Sequence, residues 1–180
     1  MIIVVATSTP HATGWFALRF FLIFALLTGA FELSRGTAFE RFVVEDLVLK
    51  PSVGVINALM PHDAVTLNGR TLTTDRTSLR ITRGCEGIEI LLMLAAGMLA
   101  FPASWRHRMI GLAWGVMLSE LLSVSRIVAL HYTLRHHPQA WESLHGLILP
   151  LAPIALVGIF YLRWTAARTS DGRRELPDAA

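Results

Sequence analysis

The chain has 180 residues, 53% of them hydrophobic and 16% charged, and its mean hydropathy of +0.53 exceeds what one soluble core requires, which excludes a soluble globular domain and marks an integral membrane protein. A single cysteine excludes an internal disulfide, and no Cys or His cluster has the spacing of a structural zinc site. The formal charge of +3 comes with no nucleic-acid-binding motif, so the arginines are read as contacts with anionic lipid headgroups.

Residues 1–13 hold no Lys or Arg and so lack the positive region of a secretory signal. They are expected to be a cytoplasmic N-terminus. Gly14–Leu33 has the ~20-residue length of a membrane span, with Arg19 near one end where it can snorkel. An uncleaved first span is expected; the alternative, a removed signal sequence, is disfavoured because Arg19 interrupts the apolar region.

Residues 34–84 are expected to form a small extracytoplasmic cap. Within 37–49, Phe39, Phe42, Val43, Leu47 and Val48 recur near helical spacing among charges, which predicts an amphipathic helix at the interface. Pro51 ends or bends it, and 53–60 offers a second short helix. Asn68-Gly69, set between Thr/Leu/Val runs in 64–73, is a hairpin signal, and 79–82 offers a third strand.

The apolar stretches 86–101, 109–130 and 145–164 predict the second, third and fourth spans, the second short and the last kinked by Pro150 and Pro153. Between the third and fourth, 131–144 reads as an outer loop broken by Pro138 with Trp141 as an interfacial anchor. The expected fold is therefore an all-α membrane protein, a four-span helical bundle whose cap contains an amphipathic helix and a β-hairpin. Residues 85–165 supply the three-span catalytic bundle, and 166–180 a polar cytoplasmic tail. Arg106 and Arg108 in the short connection, with Arg163, Arg168, Arg173 and Arg174 at or in the tail, put those ends in the cytoplasm and the cap outside.

The polarity of the bundle is concentrated. In Arg83-Gly84-Cys85-Glu86-Gly87-Ile88-Glu89 the lone thiol stands where the chain enters the membrane. A helix N-terminus there favours thiolate, Arg83 supports the shift, and Glu86 and Glu89 oppose it. Because successive spans are antiparallel, Cys85 opening the second, Arg126 about one turn before the end of the third and His145 opening the fourth fall at one depth on the outer side. Acyl transfer through a thiolate needs a proton donor for the leaving amine, which His145 can supply, and a fixed positive charge for the oxyanion, which Arg126 can supply. His131, His136 and His137 compete for the base role, with His131 ranked next.

Glu89, about one turn from Cys85, is the leading orienting residue and has Arg83, Arg126 or His145 as partners. Ser123 shares the helix of Arg126. Glu120, near mid-span, must face the bundle; it either orients Arg126 or, as favoured, joins helices together. No G-x-S-x-G motif appears, and adjacent His136-His137 are weak grounds for a metal, so neither cofactor nor metal is expected. Gly111-x-x-x-Gly115 suits close packing against another helix, the chain's own or a substrate's.

The G-C-E-G at 84–87, S-R-I-V at 125–128 and H-G at 145–146 together resemble the exosortase/archaeosortase family of membrane cysteine transpeptidases. The resemblance implies Cys85 as nucleophile, Arg126 as oxyanion stabiliser and His145 as proton-transfer residue. It also implies a substrate, a secreted protein ending in a short motif, a membrane helix and a basic cluster. Cleavage would fall on the periplasmic face of a bacterial inner membrane, with an amine acceptor or water resolving the acyl-enzyme. Glu86 and Ser123 stand where many relatives have a small residue and an Asn. The SRGTAFERF stretch at 34–42 and the compact length point to a short, XrtM-like subtype. The rival reading is a non-catalytic assembly or scaffold subunit of a secretion or polysaccharide-export system, in which the same polar residues only lock helices together.

Overall fold

The computed structural model describes residues 10–82, 84 and 86–174, and side chains between residues 14 and 167. The described chain is mostly helical, with three helices long and apolar enough to cross a membrane and one small sheet. Helix α1 (Pro10–Leu33) starts on a proline, whose missing N–H is harmless in a first turn, and carries the apolar stretch Gly14–Leu33. After a turn closed by Gly36 at φ 75°, Thr37 caps α2 (Ala38–Arg41), its hydroxyl accepting from the Glu40 amide.

The chain then stays helical through a π-helical run, Phe42–Leu49, into α3 (Lys50–Leu59). Pro51 therefore neither ends nor breaks the rod. It sits in the first turn of α3, and the segment before it has i→i−5 bonds such as Lys50 N–H to Glu45 C=O. The rod buries Val44, Val48, Leu49 and Ile56.

Strands β1 (Thr66–Asn68), β2 (Thr71–Thr73) and β3 (Ser78–Arg80) form an antiparallel sheet in the order β1-β2-β3. The pairing Asn68↔Thr71 makes Gly69-Arg70 the two-residue loop, one position later than the Asn-Gly signal centres it, with Gly69 at φ 56°. Leu72, Leu79 and Ile81 turn inward onto the α2–α3 rod, in a core that continues through Ile88, Ile127 and Leu130 into the helical bundle.

Helix α4 (Ile88–Ala100) replaces the expected second span. At 13 residues it rises about 20 Å, short of the ~30 Å hydrocarbon thickness. Gly87 in the left-handed region starts it, and the extended Phe101 before Pro102 stops it. Short as it is, α4 packs against α1, α5 and α7.

Helix α5 (Trp105–His136) is 32 residues long and absorbs the first part of the expected 131–144 loop. Leu130, His131 and Thr133 are buried beneath the cap there, and Pro138 ends the helix by forcing His137 out of helical geometry. A 3₁₀ turn (Pro138–Ala140), α6 (Trp141–Ser143), a π turn (Leu144–Ile148) and α7 (Leu149–Arg174) form the last rod, of which Pro138–Ala167 has span-like apolarity. The expected tail at 166–180 is thus helical as far as Arg174, and its last residues lie outside the described ones.

The Gly111/Gly115 pair packs the chain's own helices. A Cβ on Gly111 would lie 2.2 Å from Trp164 Nε1 on α7, and one on Gly115 would lie 2.8 Å from Leu94 on α4. His107 stacks on the Trp164 ring at 4.8 Å, tying the start of α5 to the far end of α7. Gly111→Ala should therefore lower thermal stability in detergent by about 1–3 kcal/mol through overpacking. Gly158→Ala, where a Cβ meets open space, should leave stability unchanged or raise it slightly.

Candidate functional site

Ser119, Ser123 and Arg126 recur at i, i+4 and i+7, so α5 presents them on one face. All three are buried, Arg126 to 7% exposure. What they face is the turn that carries Cys85 in sequence. The guanidinium Nη1 of Arg126 donates to the Gly84 carbonyl at 3.1 Å. Three residues earlier, Ser123 lies so close to Gly87 that a Cβ there would be 2.2 Å from its hydroxyl. Gly84 and Gly87 adopt φ of 82° and 78°, so both ends of the turn use backbone that glycine accepts without strain. Cys85 and Arg83 themselves lie outside the described residues.

A cavity of about 10 Å³, the room of roughly one water, lies among Gly87, Ser119, Ser123, Arg126, Pro153 and Val157. The Ser123 hydroxyl donates to the Ser119 carbonyl at 2.8 Å, leaving the Ser119 hydroxyl buried without a partner. Glu120 Oε1 is also buried without a partner, so neither serine satisfies it.

Glu86 is buried at 4% exposure and forms a salt bridge with Arg70, whose other nitrogen reaches Glu40 at 2.6 Å. Burial pushes the Glu86 carboxyl above its ordinary range, against the pull of Arg70. The hairpin-loop arginine thereby compensates the acid next to Cys85 in sequence. Glu89 is exposed and forms no ion pair with Arg126 or His145; it lines a cleft with Glu32, Arg35, Glu40 and Arg70.

The histidines are sorted by their neighbours. His131, 1% exposed, is bound by Asp63 at 3.0 Å, and Arg135 approaches the other oxygen of that carboxylate at 2.8 Å. His136 and His137 lie against Tyr132, with ring centroids 4.7 and 6.0 Å away. His145 stacks on Trp141 at 5.1 Å and keeps Nδ1 buried with no hydrogen-bond partner. It sits on the π turn that leads into α7, eight residues or roughly 12 Å of helical rise before Pro153 at the cavity. His145 and Arg126 make no direct hydrogen bond.

The Asp63–His131–Arg135 cluster and the Glu40–Arg70–Glu86 bridge are absent from the sequence reading. Their partners are separated by 68 and by 30 and 16 residues, and no local pattern pairs such positions. Among the described residues no group of three or more His, Cys, Asp or Glu is placed to hold a metal ion. No family model, curated protein or solved structure matches the chain.

Gly84→Ala should cost only left-handed strain, about 1–2 kcal/mol. Gly87→Ala should cost about 1–3 kcal/mol more through the Ser123 contact, and Ser123→Gly in the same chain should recover much of that increment. Equal costs for the two single variants in thermal unfolding would refute the seat on Ser123. Removing Asp63 by Asp63→Ala leaves the buried His131 without its carboxylate and Arg135 with Asp75 alone, a loss of about 3 kcal/mol that limited proteolysis of the cap should register.

Proposed function

We propose that the chain is a membrane-embedded cysteine peptidase or transpeptidase of the exosortase kind, which cleaves the C-terminal sorting signal of a secreted protein. The observation that carries this reading is the grip of the buried Arg126 on the Gly84 carbonyl, the residue immediately before Cys85 in the chain. A fixed positive charge one peptide away from the only thiol is what a thiolate nucleophile and an oxyanion require.

In this reading four helices cross a bacterial inner membrane with alternating direction, α4 serving as a short crossing. The contact of His107 with Trp164 supports placing the arginine-bearing ends of α5 and α7 together on the cytoplasmic side. The cap and the Gly84–Gly87 turn then face the periplasm. An apolar groove of about 300 Å³ between α1, α4 and α7, lined by Phe16, Phe20, Met93, Gly97, Gly158 and Tyr161, would receive the membrane helix of the substrate.

The Cys85 thiol proton passes to His145, and the sulfur attacks the scissile carbonyl. Arg126 holds the oxyanion, the C–N bond breaks, and His145 returns the proton to the departing amine. An acceptor amine or water then gives a proton to His145 and attacks the thioester, the C–S bond breaks, and His145 returns that proton to the sulfur. Among the described histidines on the cap side of α5 and α7, the unengaged Nδ1 of His145 favours it over His131, which Asp63 occupies.

Cys85→Ala should abolish processing of a co-produced substrate, seen as a retained higher-mass band, while the chain stays at normal membrane level. Unchanged processing would sink the enzyme reading and leave the scaffold. Arg126→Lys should lower the rate about 10²-fold or more, because an ammonium lacks the planar fork. His145→Ala should lower it about 10²–10⁴-fold. His131→Asn should act chiefly on stability.

A further inference from the structure

The two edges of the cap sheet are treated differently. On the outer side of β1 the amide of Asn57 takes both backbone groups of Val65, donating to its carbonyl at 3.0 Å and accepting from its N–H at 2.8 Å. That side chain pairs the backbone just before β1 as a neighbouring strand would. At β3 the inward bonds are fixed by the register Leu72↔Leu79 and by Thr74 N–H to Thr77 C=O and Ile81 N–H to Arg70 C=O. Antiparallel alternation then turns the N–H and C=O of Ser78 and Arg80 away from β2. No described residue bonds them, and both side chains are exposed.

An open groove of about 630 Å³ lies at the end of this strand, lined by Glu40, Arg70, Arg80, Ile81 and Thr82. Arg70 in it is already matched by Glu40 and Glu86, whereas Arg80 forms no ion pair among the described residues. The strand edge therefore offers unpaired backbone donors and acceptors, and Arg80 adds a spare positive charge where the edge meets the groove. Past Thr82 the chain leads to Gly84, whose carbonyl Arg126 holds.

We infer that the β3 edge seats the substrate: an extended, acidic peptide segment adds to the sheet as a fourth strand along Ser78–Arg80, with a carboxylate against Arg80, and is thereby directed to the Gly84–Gly87 turn. Main-chain bonds supply the grip and Arg80 the selectivity, as in other recognition by strand addition. The inference rests on the cysteine-peptidase reading for its purpose and not for its geometry.

The test uses the full chain in detergent micelles as the Cys85→Ala variant, so that bound peptide is not turned over. Three pools of acetylated hexapeptide amides are added, one with two Glu, one with two Lys and one neutral, and amide exchange is read across residues 76–82. The acidic pool should slow exchange about tenfold and the Lys pool should not. Arg80→Glu should reverse that preference. Ser78→Pro, which deletes an outward N–H and no ladder bond, should weaken protection while the fold is kept. Equal protection by all pools, or by none, overturns the inference. So does protection without peptide that grows with chain concentration, since a second copy would then close the edge. Parallel cleavage assays separate the two ideas, because peptide cleavage that survives Cys85→Ala defeats the peptidase reading and leaves the exchange result standing.

Discussion

A guanidinium buried in a long apolar helix has to find acceptors inside the protein, because apolar surroundings cannot replace its water. Arg126 is 7% exposed, and the carbonyl of Gly84 is one of its acceptors. Much of the architecture follows from that need. A backbone carbonyl can point at α5 there only if the chain turns sharply before α4, and the left-handed Gly84 and Gly87 permit the turn. Gly87 then sits against Ser123, so two residues of one helical face fix the start of α4 at both ends of the turn.

The cap is held to this bundle by charge as well as by apolar packing. Asp63 is 5% exposed and lies between His131 and Arg135 near the end of α5. Arg70 reaches from the hairpin loop to Glu40 on α2 and to Glu86 at the Gly84–Gly87 turn. These ties cross between elements far apart in sequence, so they fix the position of the cap over the turn. Among the described residues they also leave His145 as the histidine with an unengaged buried nitrogen.

Small residues allow the helices to approach. Gly97 faces Tyr161, Gly111 faces Trp164 and Gly115 faces Leu94, so aromatic and leucine side chains occupy the space that side chains on the glycines would fill. Dispersion between closely packed surfaces is the main cohesive term available in lipid, where burial from water contributes little. The short α4 gains its place in the bundle from such contacts with three neighbours rather than from its own length.

Hydropathy and turn chemistry are local, and what they govern was legible in the residues: the long apolar runs of α1, α5 and α7, the helical rod after Thr37, and a hairpin at Gly69 followed by a third strand. Cys85 and Arg83 were singled out from sequence, and they lie outside the described residues. Tertiary structure alone decided that α4 stops at 13 residues, that α5 continues to His136 beneath the cap, and that His131 belongs to Asp63. Those outcomes depend on partners dozens of residues away, and the free energy of a buried ion pair or a close helix contact exists only once both partners have been brought together.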